Sequence, residues 1–200
     1  MNILRIDSSI LGEASASRDI TRHVVDALAR ANPAATIVHR DLAASPLGHF
    51  DAELLEARST PAELRGPRAR ARAEQAEAVL EEFLAADVIV LGAPMYNFGI
   101  PSQLKTWIDL IAVAGKTFRY TESGAEGLAG DKRVILAATA GGRHAGQASG
   151  VAHIDYLRFL LGFFGITDIE VLVAEGLALG EGEREAAMAA ALGELEAIAA

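Results

Sequence analysis

Two stretches of this chain, Val88-Ile89-Val90-Leu91 and Val134-Ile135-Leu136, are apolar at every consecutive position. A strand with one wet face alternates apolar and polar residues, so a strand that does not alternate needs cover on both sides. Strand-like segments at Asn2–Asp7, Thr36–Asp41 and Asp168–Ala174, each with an apolar stretch among polar residues, join 88–92 and 133–138 as candidate strands. Between the runs, apolar residues recur at helical spacing. Ile20, Val24 and Leu28 share one face; Ala76, Val79, Leu80, Phe83 and Leu84 share another; Leu104, Trp107, Ile108 and Ile111 share a third. Helical patterns also cover about 102–114, 154–164 and 184–199. Strands alternating with helices predict an α/β chain with helices on both faces of a parallel sheet.

Five such strands fit a doubly wound, flavodoxin-like sheet of order 2-1-3-4-5, and 200 residues fit one domain spanning 1–200. In that topology ligands bind beyond the carboxyl ends of the strands, where the order reverses between strands 1 and 3. The loops expected there are 8–17, 93–101 and 139–144. Residues 43–73, with Pro46, Gly48, Pro61 and Gly66 scattered through them, read as an excursion with short helical turns. Residues 117–128 read as a polar loop carrying Phe118 and Tyr120.

Composition removes several classes of function. The chain has no cysteine, which excludes disulfides, thiolate nucleophiles, Fe–S clusters and cysteine zinc sites. No metal site is expected. A net charge of −9 opposes nonspecific nucleic-acid binding, so no nucleic-acid partner is expected. The amino-terminal residues read directly as a strand without a signal-peptide layout, and no apolar run approaches the ~20 residues of a membrane span. A cytoplasmic protein with no membrane partner is the expectation.

The three loops carry the chemistry. In the first, Ser9, Ser15 and Ser17 supply hydroxyls just before a helix start, whose free N–H groups and partial positive charge suit a phosphate. The segment lacks the Gly-Lys-Ser/Thr ending of a nucleotide P-loop and the glycine pattern of a dinucleotide fingerprint. A phosphomonoester fits it, and helix capping by Ser15 or Ser17 is the plainer reading. The second loop, Ala93-Pro94-Met95-Tyr96-Asn97-Phe98-Gly99-Ile100-Pro101, is stiffened by proline at both ends. Met95, Tyr96 and Phe98 offer apolar cover to a flat ring, and Asn97 offers polar groups to its edge, as a flavin requires. In the third, the paired Gly141 and Gly142 allow close backbone approach. Their N–H groups suit the negative charge that a flavin gains on reduction, and Arg143 is placed to reinforce it. His144 is a candidate substrate contact. The basic run from Arg65 to Arg72 reads mainly as a solvated stretch, with attraction of an anion or of the extra phosphate of NADPH as its sharper alternative. Phe163 and Phe164 divide between a substrate pocket and helical packing.

Taken together these residues resemble the FMN-dependent NADH-azoreductases, a family of flavodoxin-like quinone reductases. The likeness runs through Asp7-Ser8-Ser9-Ile10 with Ser15 and Ser17, through residues 93–105, and through Thr117-Phe118-Arg119-Tyr120-Thr121-Glu122. It continues in Gly141-Gly142, Phe163-Phe164-Gly165-Ile166 and Ala174-Glu175-Gly176. The Met-Tyr-Asn-Phe loop followed by Ser-Gln-Leu-Lys is its most specific part. The resemblance implies a homodimer with one FMN per subunit and active sites at the dimer interface. Ser9, Ser15, Ala16 and Ser17 would hold the phosphate. Met95, Tyr96, Asn97 and Phe98, with Thr139, Ala140, Gly141 and Gly142, would hold the ring. Phe118, Tyr120 and Phe163 map near the substrate. Ala16 stands where some relatives carry glutamine, and Thr139-Ala140 where others carry Ser-Arg.

The implied reaction is ping-pong transfer of a hydride from NADH through N5 of FMN to a quinone or azo compound, the azo bond being cleaved to two amines. Because the cofactor carries the hydride, no side chain is assigned as catalytic. A flavodoxin-type single-electron carrier is the alternative, and a non-flavin binding protein a third class.

Overall fold

The computed structural model describes residues 1–195. Its main sheet is five-stranded, all parallel, in the spatial order β2-β1-β3-β6-β7. The strands are β1 (Asn2–Asp7), β2 (Thr36–Asp41), β3 (Val88–Pro94), β6 (Arg133–Thr139) and β7 (Asp168–Ala174). Each lies where its apolar run predicts, and the order matches the expected 2-1-3-4-5 once a small hairpin is counted.

Pairing of Ile3 with Val88 and of Leu4 with Ile89 sends alternate residues to opposite faces. On one face Leu4, Ile6, Ile89, Leu91 and Leu136 pack with Val79 and Phe83 of α3 (Pro67–Ala85), Trp107 and Ile108 of α4 (Ser102–Ile111), and Leu157 of α5 (Tyr156–Phe163). On the other, Ile3, Val90, Ile135 and Leu172 meet Ile20, Val24 and Leu28 of α1 (Ala16–Ala31) and Ala191 of α6 (Glu181–Gly193). All seven residues of β3 are buried, which is why its sequence does not alternate.

Several boundaries differ from expectation. The segment read as a polar loop contains an antiparallel hairpin, β4 (Phe118–Thr121) and β5 (Gly124–Gly127), with Phe118 opposite Gly127 and Thr121 opposite Gly124. Each strand has four residues. That is too short for period 2 to stand out, and β5 carries a glycine at each end. Arg119 and Glu126 pair across it. Within the excursion the chain forms α2 (Ala52–Ser59) and a single 3-10 turn before α3. The basic run largely lies inside the first turns of α3, and three of its four arginines have carboxylate partners: Arg65 with Glu77, Arg68 with Glu53, Arg72 with Asp51 and Glu53. Arg70 is exposed and, among the described residues, donates only to Ala62 O. The Arg68 and Arg72 pairs pin α2 to α3. The fifth helix is preceded by a π-helical turn, Val151–Asp155. The last helix begins three residues earlier than expected, at Glu181, and positions 196–199 of that expectation lie outside the described residues.

Candidate active site

Loops following β1, β3 and β6 meet at the carboxyl edge of the sheet. At the end of β1 the Asp7 carboxylate is almost wholly buried. It is compensated by Arg5 at 2.9 Å, His39 at 2.8 Å and the Thr21 hydroxyl at 2.7 Å. A carboxylate out of water persists only with such partners, and they hold the strand end from which the first loop departs. The next residue, Ser8, donates from its hydroxyl to Gly92 O at 2.7 Å, tying that loop to β3. Ser15 caps α1, accepting from Arg18 N at 3.3 Å, and its hydroxyl also lies 3.1 Å from that of Ser17. The capping reading of Ser15 therefore holds, and it does not compete with ligand binding. A cap satisfies one N–H and leaves the others of the first turn without intrahelical acceptors. The only cation in that turn, Arg18, is engaged by Asp41 at 2.6 Å, and this hydrogen bond raises the guanidinium above its ordinary value.

The second loop is a tight two-residue turn. Tyr96 N donates to Gly99 O at 2.9 Å and Gly99 N returns to Tyr96 O at 3.1 Å. The two residues between, Asn97 and Phe98, have φ of 49° and 67°. This is the left-handed pair of a type I′ turn, in which asparagine is common at the first position and glycine at the second. A bulky phenylalanine with positive φ is strained. The Tyr96 hydroxyl reaches back to the first loop, 3.0 Å from Ser9 Oγ and accepting from Ile10 N at 3.1 Å. One phenol thereby latches the two loops together.

The third loop is held by the segment after β7. Gly176 N donates to Gly142 O at 2.8 Å and Ala178 N to Gly141 O at 3.0 Å. The Glu175 carboxylate accepts from the N–H groups of both His144 and Ala145 at 3.0 Å. A Cβ on Gly142 would sit 2.9 Å from His144 Nε2, so glycine there lets the imidazole fold over the turn. That ring lies edge-on to Phe98, centroids 5.8 Å apart, with Nδ1 2.9 Å from Ser149 Oγ.

Between the loops lies an open cleft of about 200 Å³, smaller than the ~300–1,000 Å³ of fully enclosed small-molecule sites. Of the residues expected to hold a cofactor, Ser9, Ser15, Ala16, Met95, Tyr96, Thr139, Ala140 and Gly141 line it. Ser17 is buried behind Ser15. Asn97 and Phe98 stand exposed at the turn, and Gly142 lies one residue beyond the lining. A second depression of about 510 Å³ shares Met95 with the first and is lined by His144, His153, Arg158 and Glu175. His153 is buried, its Nε2 donating to Ala93 O at 2.7 Å, and burial lowers its pKa so that it stays neutral.

The remaining substrate candidates assemble elsewhere. Phe118 packs on Phe163 at 4.8 Å and on Tyr120 at 5.6 Å, in a cluster at the hairpin. Tyr120 is 76% exposed. None of the three lines the cleft. Arg143 also departs from expectation: its guanidinium is paired with Glu183, which occupies its charge. Sequence reasoning overlooked Leu177, Ala178 and Arg184 on the cleft wall. They belong to a segment whose approach depends on the order of the sheet, and only the motif Ala174-Glu175-Gly176 before them marked it.

A family profile described as a flavodoxin-like fold matches residues 1–199. FMN-dependent NADH:quinone oxidoreductase 2 of Pseudomonas aeruginosa is 61% identical over 191 residues, covering 96% of this chain and 95% of that one. The chain belongs to this flavodoxin-like family of FMN-dependent NADH:quinone oxidoreductases. Among solved structures, an azoreductase from Bacillus anthracis superposes with a TM-score of 0.88 at 29% identity, covering 100% of this chain and 98% of that one. An FMN-dependent NADH-azoreductase of the same species, solved with FMN, shares the fold at 23% identity and a TM-score of 0.87, covering 100% of this chain and 99% of that one.

Proposed function

We propose that this chain is an FMN-dependent oxidoreductase that takes electrons from NADH and passes them to quinones and, as a second acceptor class, to azo compounds. The observation that carries the reading is one cleft with two unlike ends. At one end stand Ser9, Ser15 and the start of α1, with hydroxyls and free N–H groups suited to a phosphate. At the other stand Met95 and Tyr96 as an apolar wall, facing Ala140 and Gly141. Among the described residues the N–H groups of Gly141 and Gly142 have no backbone acceptor, so both remain free to donate to a ring edge. The residues present therefore suit FMN.

When bound, FMN supplies the two-electron chemistry that links NADH to the acceptor. The chain's own groups bind and orient. Ser9, Ser15 and Ala16 hold the phosphate end, and Ser17 acts from behind through its hydroxyl, 3.1 Å from that of Ser15. Met95, Tyr96, Asn97 and Phe98 flank the ring, and Thr139, Ala140, Gly141 and Gly142 meet its edge. His144, held by Ser149 and Phe98, borders the open side where substrates enter. A homodimer completes the site: the aromatic cluster of Phe118, Tyr120 and Phe163 serves the cleft of a second subunit. Exposure of Ile10, Leu11, Phe98, Tyr120 and Phe159 supports such an interface. We further propose that residues 1–200 act as one FMN-binding domain working in the cytoplasm. Among the described residues no helix is long and apolar enough to cross a membrane. The names of the relatives favour this two-electron enzyme over a single-electron carrier.

Anaerobic rapid mixing of FMN-loaded protein with NADH should bleach the flavin, and later mixing with benzoquinone should restore it. Steady-state reciprocal plots should be parallel, as two substrates using one site in turn require. A protein that takes up no FMN, or a flavin that NADH leaves oxidised, would overturn the reading.

A further inference from the structure

Every lining residue of the FMN cleft but one is uncharged, and the exception is Arg184, from the first turns of α6. Its position is unusual in three ways. Its guanidinium donates through Nη2 to Ala14 O at 3.2 Å, so it rests on the turn that immediately precedes the Ser15 cap of α1. Among the described residues no carboxylate pairs with it, whereas Arg18 and Arg143 are each engaged by one; Arg158, likewise without a carboxylate among the described residues, lines the adjoining depression and not this cleft. It also sits near the amino-terminal end of a helix, where the backbone partial charge is positive and a cation is unfavourable. The acidic Glu181 and Glu183 of the same turn are the residues that end calls for. An arginine with one of its five N–H donors used, no counter-charge and an adverse helix position is a group waiting for an anion.

The chain carries a net charge of −9, which repels a phosphate dianion at long range. Hydroxyls and helix N–H groups offer it hydrogen bonds but no full charge. Resting on the proposal that the cleft holds FMN, we propose that Arg184 is a specificity-determining contact to the FMN phosphate. It supplies the one unpaired full positive charge at that end of the cleft and selects the phosphorylated flavin over riboflavin. The same contact ties α6 to the first loop, so the cofactor joins the segment after β7 to that after β1.

The test titrates apoprotein with FMN and, separately, with riboflavin, reading quenching of flavin fluorescence. Variants are Arg184→Ala, Arg184→Gln and Arg184→Lys. Loss of a charge-assisted hydrogen bond should raise the Kd for FMN roughly 10- to 100-fold in the Ala and Gln variants. Riboflavin affinity should not change, and Lys should recover part of the loss. Added salt should weaken FMN binding more steeply in the wild type than in Arg184→Gln. Arg184→Gln retains a donor for Ala14 O, so a folding defect confined to Arg184→Ala does not decide the outcome. Unchanged FMN affinity, or equal weakening toward both flavins, would overturn the assignment while leaving the FMN site intact. Wild-type protein that binds neither flavin would instead overturn the FMN site itself.

Discussion

Phe98 shows what a single residue contributes beyond its side chain. It occupies the second position of a type I′ turn at φ 67°, where a residue with a Cβ pays for its conformation. The residue is 61% exposed and its ring lies edge-on to the imidazole of His144, so little buried area offsets the strain. Strain kept without packing in return points to a ligand contact. The expectation separates backbone from ring. Phe98→Gly and Phe98→Ala both delete the ring and should both weaken FMN binding. In urea melts of the apoprotein, Gly should be the more stable of the two by about 0.5–1 kcal/mol, the reverse of the usual order in helices and strands. Ala equal to or more stable than Gly would mean that the turn carries no such strain. In sequence Asn97 reads as a contact to a ring edge, and its positive φ of 49° emerges only with the structure. The strain at Phe98 is not legible there either, because a propensity for positive φ is what phenylalanine lacks.

Among the elements, the hairpin β4–β5 is the one that sequence periodicity did not resolve, and it is held by backbone contact. A Cβ on Gly127 would lie 2.1 Å from Gly165 N, and Gly165 itself has φ 91° just beyond α5. Ala129 N also donates to Phe164 O at 2.9 Å. Two glycines let two backbones touch, which sets Phe118 of the hairpin against Phe163 of α5. Gly127→Ala must push these segments apart. It should cost about 1–3 kcal/mol in urea-induced unfolding, the range for overpacking a tight contact. Acceptor turnover should fall more than FMN affinity, because Phe118 and Tyr120 would move while the phosphate loop stays in place. Equal loss of both would count against the hairpin as part of the acceptor site.

For the molecule as a whole, the loops after β1, β3 and β6 and the segment after β7 come from distant parts of the chain, and one ligand would bridge all four. Binding to the folded state alone stabilises it in proportion to the logarithm of ligand excess. FMN at a hundred times its Kd should therefore add about 2.7 kcal/mol. At roughly 2–4 °C per kcal/mol for a chain of this size, Tm should rise by ~5–10 °C in calorimetry. Riboflavin at the same concentration should raise it less if Arg184 selects the phosphate. A Tm indifferent to FMN would argue that the loops are joined without it.

Sequence alone determined the five strands, their helices and the carboxyl-edge location of the site. Those follow from local periodicity: a run that cannot alternate must be covered twice, and its cover must come from the helices beside it. The two serine- and aromatic-bearing loops were legible because their residue types are costly or idle without a ligand. Tertiary structure alone decided which charges are free. Arg143, Arg65, Arg68 and Arg72 look available in sequence, yet Glu183, Glu77, Glu53 and Asp51 take them up. Arg184, unremarkable in an acidic helix, faces the cleft uncompensated. Charge compensation depends on distances between side chains far apart in the chain, which no local pattern encodes.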